Sequence, residues 1–242
     1  MIVNLFLAAF CALLIGWRLQ RYFEHFAEEF NRTLQQYYQD CHADVTAQPL
    51  ADDYQWLPPL RKRYFRLLPL GLALAALPIG YFQPDFLSLL SLLCWLGLLI
   101  AIGVIDFYYR LISTALCQAL LLLALFGAWQ GIWAVSLAQS VQSLLIALAV
   151  STLFYQLSKR LYRREVFGEG DCWLISALAA FYPWQQLPLL LLCASLLTLL
   201  GALCACARAV FSPQALGEQE LPFAPALNIS AVLLFCHNAT LL

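Results

Sequence analysis

Residues 86–106 read FLSLLSLLCWLGLLIAIGVID, twenty apolar or small residues closed by an aspartate. At 1.5 Å rise per residue, such a run makes a helix of about 30 Å, the thickness of a bilayer's hydrocarbon core. Asp106 therefore stands where a spanning helix reaches the headgroups. A carboxylate at the edge of a hydrocarbon span is costly, and its default reading is functional. A second, Asp171, opens the apolar run 172–181 directly after Phe167-Gly168-Glu169-Gly170. Two carboxylates, each at a span end, read as a pair.

Working outward, the chain is 63% hydrophobic and only 11% charged, with a mean hydropathy of +0.76. That excludes an ordinary soluble domain. The apolar residues lie in long blocks rather than in the short alternating segments of a barrel, so the expected fold is all-α, a polytopic transmembrane helical bundle. The lipid bilayer is thus one partner. The net charge of −1 gives no reason to expect nucleic acid. Cys11, Cys94, Cys117, Cys193, Cys204 and Cys236 lie in apolar runs, where thiols behave as small hydrophobes, and no Cys-x-x-Cys occurs. No metal and no other cofactor is expected. Ile2–Trp17 lacks a basic segment ahead of it, and Arg18 and Arg21 follow it, so it reads as a retained anchor with its N-terminus outside.

The pattern predicts about eight spans: 2–17, 67–82, 86–105, 112–129, 132–157, 171–182, 187–207 and 221–242. The count falls to seven if the short run stopped by Pro183 merges with its successor. With the N-terminus outside and each span crossing once, all 13 Lys and Arg residues fall on the cytoplasmic side. Asp106 and Asp171 then share the cytoplasmic edge. Two parts follow: 1–66, an anchor plus a cytoplasmic loop and helix segment, and 67–242, the membrane domain. Within 18–66, Leu19, Tyr22, Phe23, Phe26 and Phe30 recur near a helical period, predicting a helix over Arg18–Tyr38 at the interface or on the bundle.

Two carboxylates facing one water can hydrolyse a peptide. Like charges a few ångström apart do not both ionise cheaply, so one keeps its proton. The ionised group takes a proton from water and the protonated one polarises the carbonyl; the pair titrates as a unit, so neither role belongs to a named residue. Gly168 and Gly170 let a loop turn into a helix N-terminus with close backbone approach, and Asp171 in the first turn meets the favourable end of the helix dipole. Plainer readings stand beside these. Asp171 could be an N-cap. Asp106 could mark a span end and pair with Arg110. Phe107-Tyr108-Tyr109 reads as an interfacial aromatic belt.

Three motifs in order resemble one family. Asp106 followed six residues later by Ile112 resembles the first motif of the type IV prepilin peptidases; Gly168-Glu169-Gly170-Asp171 resembles their Gly-x-Gly-Asp, 65 positions on from Asp106. Leu221-Pro222-Phe223-Ala224-Pro225 resembles the opening of their last span, and the likeness covers about residues 57–242. It implies a membrane aspartyl peptidase that cuts basic leaders from prepilins or pseudopilins at the cytoplasmic face of the inner membrane, with Asp106 and Asp171 as catalytic aspartates. Ser113, Thr114 and Trp173 depart from residues common in the family, and 18–66 carries only Cys41 where bifunctional members have two Cys-x-x-Cys pairs. That counts against N-methylation of the product. Glu165 and Glu169 are the expected contacts for a basic leader. The competing classes are a non-catalytic scaffold derived from such a peptidase and a proton-coupled transporter, whose carboxylates would lie nearer the midplane.

Overall fold

The computed structural model describes residues 2–41, 57–60, 65, 67–82, 85–162, 168–211 and 222–240. Eight α-helices occupy them and no strand is present among the described residues. The chain forms two compact units, Met1–Leu93 and Cys94–Leu242.

The first unit holds α1 (Ile2–Cys41), α2 (Leu68–Phe82) and the first turns of α3 (Phe86–Tyr109). The apolar pattern predicts that the anchor ends at Trp17, but α1 runs unbroken for 40 residues, about 60 Å. The reason is local: the stretch from Arg18 to Tyr38 contains neither Gly nor Pro and is rich in good helix formers. Ala8, Ala12, Ala76, Leu89 and Leu93 form the core. Small residues bring α1 and α2 close; a Cβ on Gly16 would lie 2.5 Å from Pro69 Cα. Asn31 grips the backbone of Leu57 twice, its Nδ2 donating to the carbonyl at 3.0 Å and its Oδ1 accepting the N–H at 2.9 Å. Phe6, Phe10 and Leu14 are exposed, as lipid-facing side chains are.

In the second unit, α3 is followed by α4 (Thr114–Trp129), α5 (Leu137–Tyr162), α6 (Glu169–Ala179), a 3₁₀ turn (Trp184–Gln186), α7 (Leu187–Phe211) and α8 (Ala224–Thr240). Asp85 begins α3, accepting from the Ser88 N–H and hydroxyl at 2.9 and 2.8 Å, which holds its carboxyl below the usual carboxylate range. Helices α3, α5 and α7 are long and apolar enough to cross a membrane, as is α1, and α2, α4 and α8 are shorter apolar helices. The protein is therefore a multi-pass membrane protein.

Helix α6 differs from the rest. Its 11 residues reach only about 16 Å, too short to span, and Cys172 and Leu174–Ala179 are buried. It packs against α4, α5 and α8. A helix ending inside a hydrocarbon layer leaves carbonyls without partners. Here Ser140 Oγ donates to the Ala180 carbonyl at 2.7 Å. Tyr182 turns its hydroxyl onto the Ala231 carbonyl of α8 at 2.6 Å. Gln186 and Asn238 exchange two amide bonds at 3.2 and 3.0 Å. Around this turn Trp95, Trp133, Phe181 and Phe235 pack as one aromatic cluster. The segment ending at Pro183 is thus a buried part-span, separate from α7.

Candidate active site

Asp106 lies in the last turn of α3. The helix stops because Arg110 takes a left-handed conformation, φ 56°. Its N–H donates to the Asp106 carbonyl at 2.9 Å, which closes the helix end. The Arg110 guanidinium lies within electrostatic reach of the Asp106 carboxylate, yet the two form no ion pair. The partner of that carboxylate is instead the backbone N–H of Ala224, 3.0 Å from Oδ2 and 118 positions away in sequence. Ala224 is the first residue of α8. The Phe223 before it cannot cap a helix with its own side chain. Asp106 therefore serves as an N-cap supplied by another helix, at the positive dipole end of α8. At 6% relative exposure, Asp106 is buried.

Asp171 lies in the first turn of α6, with Glu169 beside it. Gly168 is its N-cap, in extended conformation at φ −73° and ψ 139°. The Asp171 N–H donates to the Gly168 carbonyl at 3.1 Å. The carboxylate folds back so closely that a Cβ on Gly168 would stand 3.0 Å from Oδ2. Gly170 has a different neighbour: a Cβ there would lie 2.8 Å from Ile112 Cβ. The loop after α3 and the start of α6 are thus packed backbone to side chain. Through that contact the two segments meet, and Asp106 and Asp171 lie within electrostatic reach of each other. The thiols of Cys117 and Cys172 share Asp171's electrostatic neighbourhood. Ser113 caps α4 without a side-chain hydrogen bond, and Thr114 opens that helix.

The match to known families covers this same stretch. Residues 90–203 match the type IV leader peptidase family. This segment is similar to the type IV leader peptidases. Both aspartates lie inside the matched segment; the Pro222–Pro225 motif that holds Asp106 lies beyond it. The chain is similar to a prepilin leader peptidase/N-methyltransferase of Haemophilus influenzae, 37% identical over 145 residues, 58% of this chain and 59% of that protein. It is similar to proteins of the same name from Pseudomonas putida, 30% identical over 69% of this chain and 56% of the relative, and Dickeya chrysanthemi, 32% identical over 62% and 51%. The chain spans between half and three-fifths of the length of these relatives. No solved structure matches the chain.

Of the residues singled out from sequence, Gly168 lies against the Asp171 carboxylate, Gly170 lies against Ile112, and Asp106 lies within electrostatic reach of Asp171. Glu169 is exposed on the same turn as Asp171. Glu165 and Leu221 lie outside the described residues. Phe107 and Tyr108, read as an aromatic belt, line an apolar groove between α3 and α8. Sequence reasoning missed Ala224, whose backbone matters and whose side chain gives no signal. It also missed Asn228, whose Nδ2 donates to the Leu99 carbonyl of α3 at 2.8 Å. A lone amide in the apolar run 224–236 was the available sign.

Proposed function

We propose that this protein is a membrane aspartic endopeptidase that removes the leader peptide of type IV prepilins or type II secretion pseudopilins. The observation that carries the reading is that two carboxylates from separate helix ends lie within electrostatic reach of each other, Asp106 held by the Ala224 N–H and Asp171 folded back against Gly168. Such a fixed donor pre-organises the pair. One carboxylate is ionised and takes a proton from water as the water oxygen attacks the scissile carbonyl carbon. The other, protonated, donates to the carbonyl oxygen. Collapse of the tetrahedral adduct breaks the C–N bond, and the leaving amine takes up a proton from the pair. The roles belong to the pair, and neither step needs a metal or cofactor from the protein's own residues.

The Lys and Arg distribution supports a multi-pass arrangement in the bacterial inner membrane, N-terminus periplasmic and both carboxylates at the cytoplasmic face. In that setting the reaction occurs where a leader is accessible. Glu169, with Glu165, attracts the basic leader. The test is co-expression with prepilins in cells that lack their own peptidase, with product masses read by mass spectrometry. The intact chain is expected to cleave, and Asp106→Asn and Asp171→Asn to remain in the membrane without cleaving. An intact, folded chain that cuts no prepilin sinks the proposal. The product mass reports separately on methylation.

A further inference from the structure

A groove of about 470 Å³ lies between α3 and α8. On α3 its lining begins at Leu96 and ends at Tyr108, about 18 Å of helix axis. No charged side chain lines it. Its rims reach the apolar surface: Phe107 is 58% and Ile229 51% exposed. Gly103 keeps the wall low, because a Cβ there would stand 3.2 Å from Asn228 Nδ2 and 3.8 Å from Pro225 Cα.

The groove is continuous with the candidate active site. Phe107 and Pro225 both line it, and they are the chain neighbours of Asp106 and Ala224, the two ends of the hydrogen bond that orients one carboxylate. The polarity changes along its length. Asp106 stands at that end with Asp171 and Arg110 within its electrostatic reach, and only uncharged residues follow toward Leu96. This profile complements a segment in which a cationic stretch joins an apolar helix. Asn228 Oδ1, beside that wall, is buried with no hydrogen-bond partner. A hydroxyl on a docked helix could supply a donor, and a lipid acyl chain has none.

We propose that the α3–α8 groove docks the apolar transmembrane helix of the substrate, on the side of the scissile bond away from the leader. The inference rests on the peptidase reading and adds where the retained part of the substrate sits. Docking there would hold the junction at Asp106 while the leader projects into the acidic end.

The experiment uses the full chain in phosphatidylethanolamine/phosphatidylglycerol vesicles with a full-length prepilin. Val104→Trp and Ile229→Trp fill the groove, and Leu199→Trp, on the exposed face of α7, is the control. The groove variants are expected to raise the apparent KM about tenfold or more with kcat nearly unchanged, and the control to behave as wild type. A photo-reactive residue at position 104 or 229 is expected to yield a substrate adduct, and one at position 199 none. Wild-type KM in both groove variants, with photo-adducts to lipid alone, would overturn the proposal and assign the groove to acyl chains. If the wild type leaves the prepilin uncut, the peptidase reading falls; the adducts still decide the groove, so the two failures are told apart. A variant that does not reach the membrane is replaced by Val104→Phe, for which the same KM criterion holds.

Discussion

The two carboxylates occupy opposite ends of their helices. Asp171 stands in the first turn of α6, where the helix dipole favours a negative charge, and its carboxylate lies against Gly168, three residues back. Asp106 stands in the last turn of α3, where the dipole disfavours it, and is held by the first N–H of α8. One site is stabilised locally. The other depends on a helix 118 positions later. The pair is therefore only as well organised as the contact between α3 and α8, and damage far from Asp106 in sequence can disable it.

The largest effect tests the equivalence of the two. Asp106→Asn and Asp171→Asn should each lower cleavage by on the order of 10²–10⁴-fold, read as initial rates in vesicles. The comparison sharpens in stability: Asn caps helices well, so Asp106→Asn should unfold near wild type, whereas Asp106→Ala should cost about 0.5–2 kcal/mol by uncapping α8. If Asp106→Ala is as stable as Asp106→Asn in detergent melting, the trans-cap account is wrong.

Next comes Ala224→Pro. Proline suits the first position of a helix and lacks only the N–H, so α8 should persist while Asp106 loses its donor. A hydrogen bond to a charged group is worth about 1.5–3 kcal/mol, which predicts a loss of roughly ten- to hundredfold in kcat with retained helicity. Unchanged kcat would show that Asp106 needs no such holder.

Gly170→Ala probes the contact between the two segments. With its Cβ 2.8 Å from Ile112 Cβ, α6 or the loop must move, at a cost of about 1–3 kcal/mol and with cleavage falling alongside. Gly127→Ala is the matched control: it drives a Cβ into the Trp133 indole in a turn away from both aspartates. It should destabilise by a similar ~1–3 kcal/mol while kcat of the folded fraction holds. The smallest effect belongs to Glu169→Gln. An exposed charge contributes little, so KM for a basic-leader substrate should rise by about two- to fivefold, and less in high salt. An unchanged KM at low salt would remove Glu169 from the leader site.

The helices were largely legible from sequence. Apolar run length located α3, α4, α5 and α7, and Pro183 marked the stop after α6. The helix over Arg18–Tyr38 was legible too; missed was that it continues the anchor helix past Trp17 without a break. Charge ends a span without ending a helix, and only Gly, Pro or a cap does the latter. Length marked the run 171–182 as short for a span, but left open whether it merges with α7. The Ala180 carbonyl at the end of α6 is satisfied by Ser140 and the turn around it is tied down by Tyr182, side chains whose partners lie 40 and 49 positions away.

By itself the sequence determined that this chain is a bundle of membrane helices with two costly carboxylates at span ends, the second behind a glycine pair. Backbone in lipid must satisfy its own hydrogen bonds, so long apolar runs leave no choice but helix, and a carboxylate at their edge stands out. Tertiary structure alone decided that the two carboxylates come within electrostatic reach of each other, that Asp106 caps α8, and that an uncharged groove leads away from it. These are contacts between segments far apart in the chain. They depend on how close Gly170 and Gly103 let their neighbours approach, and no local propensity records that distance.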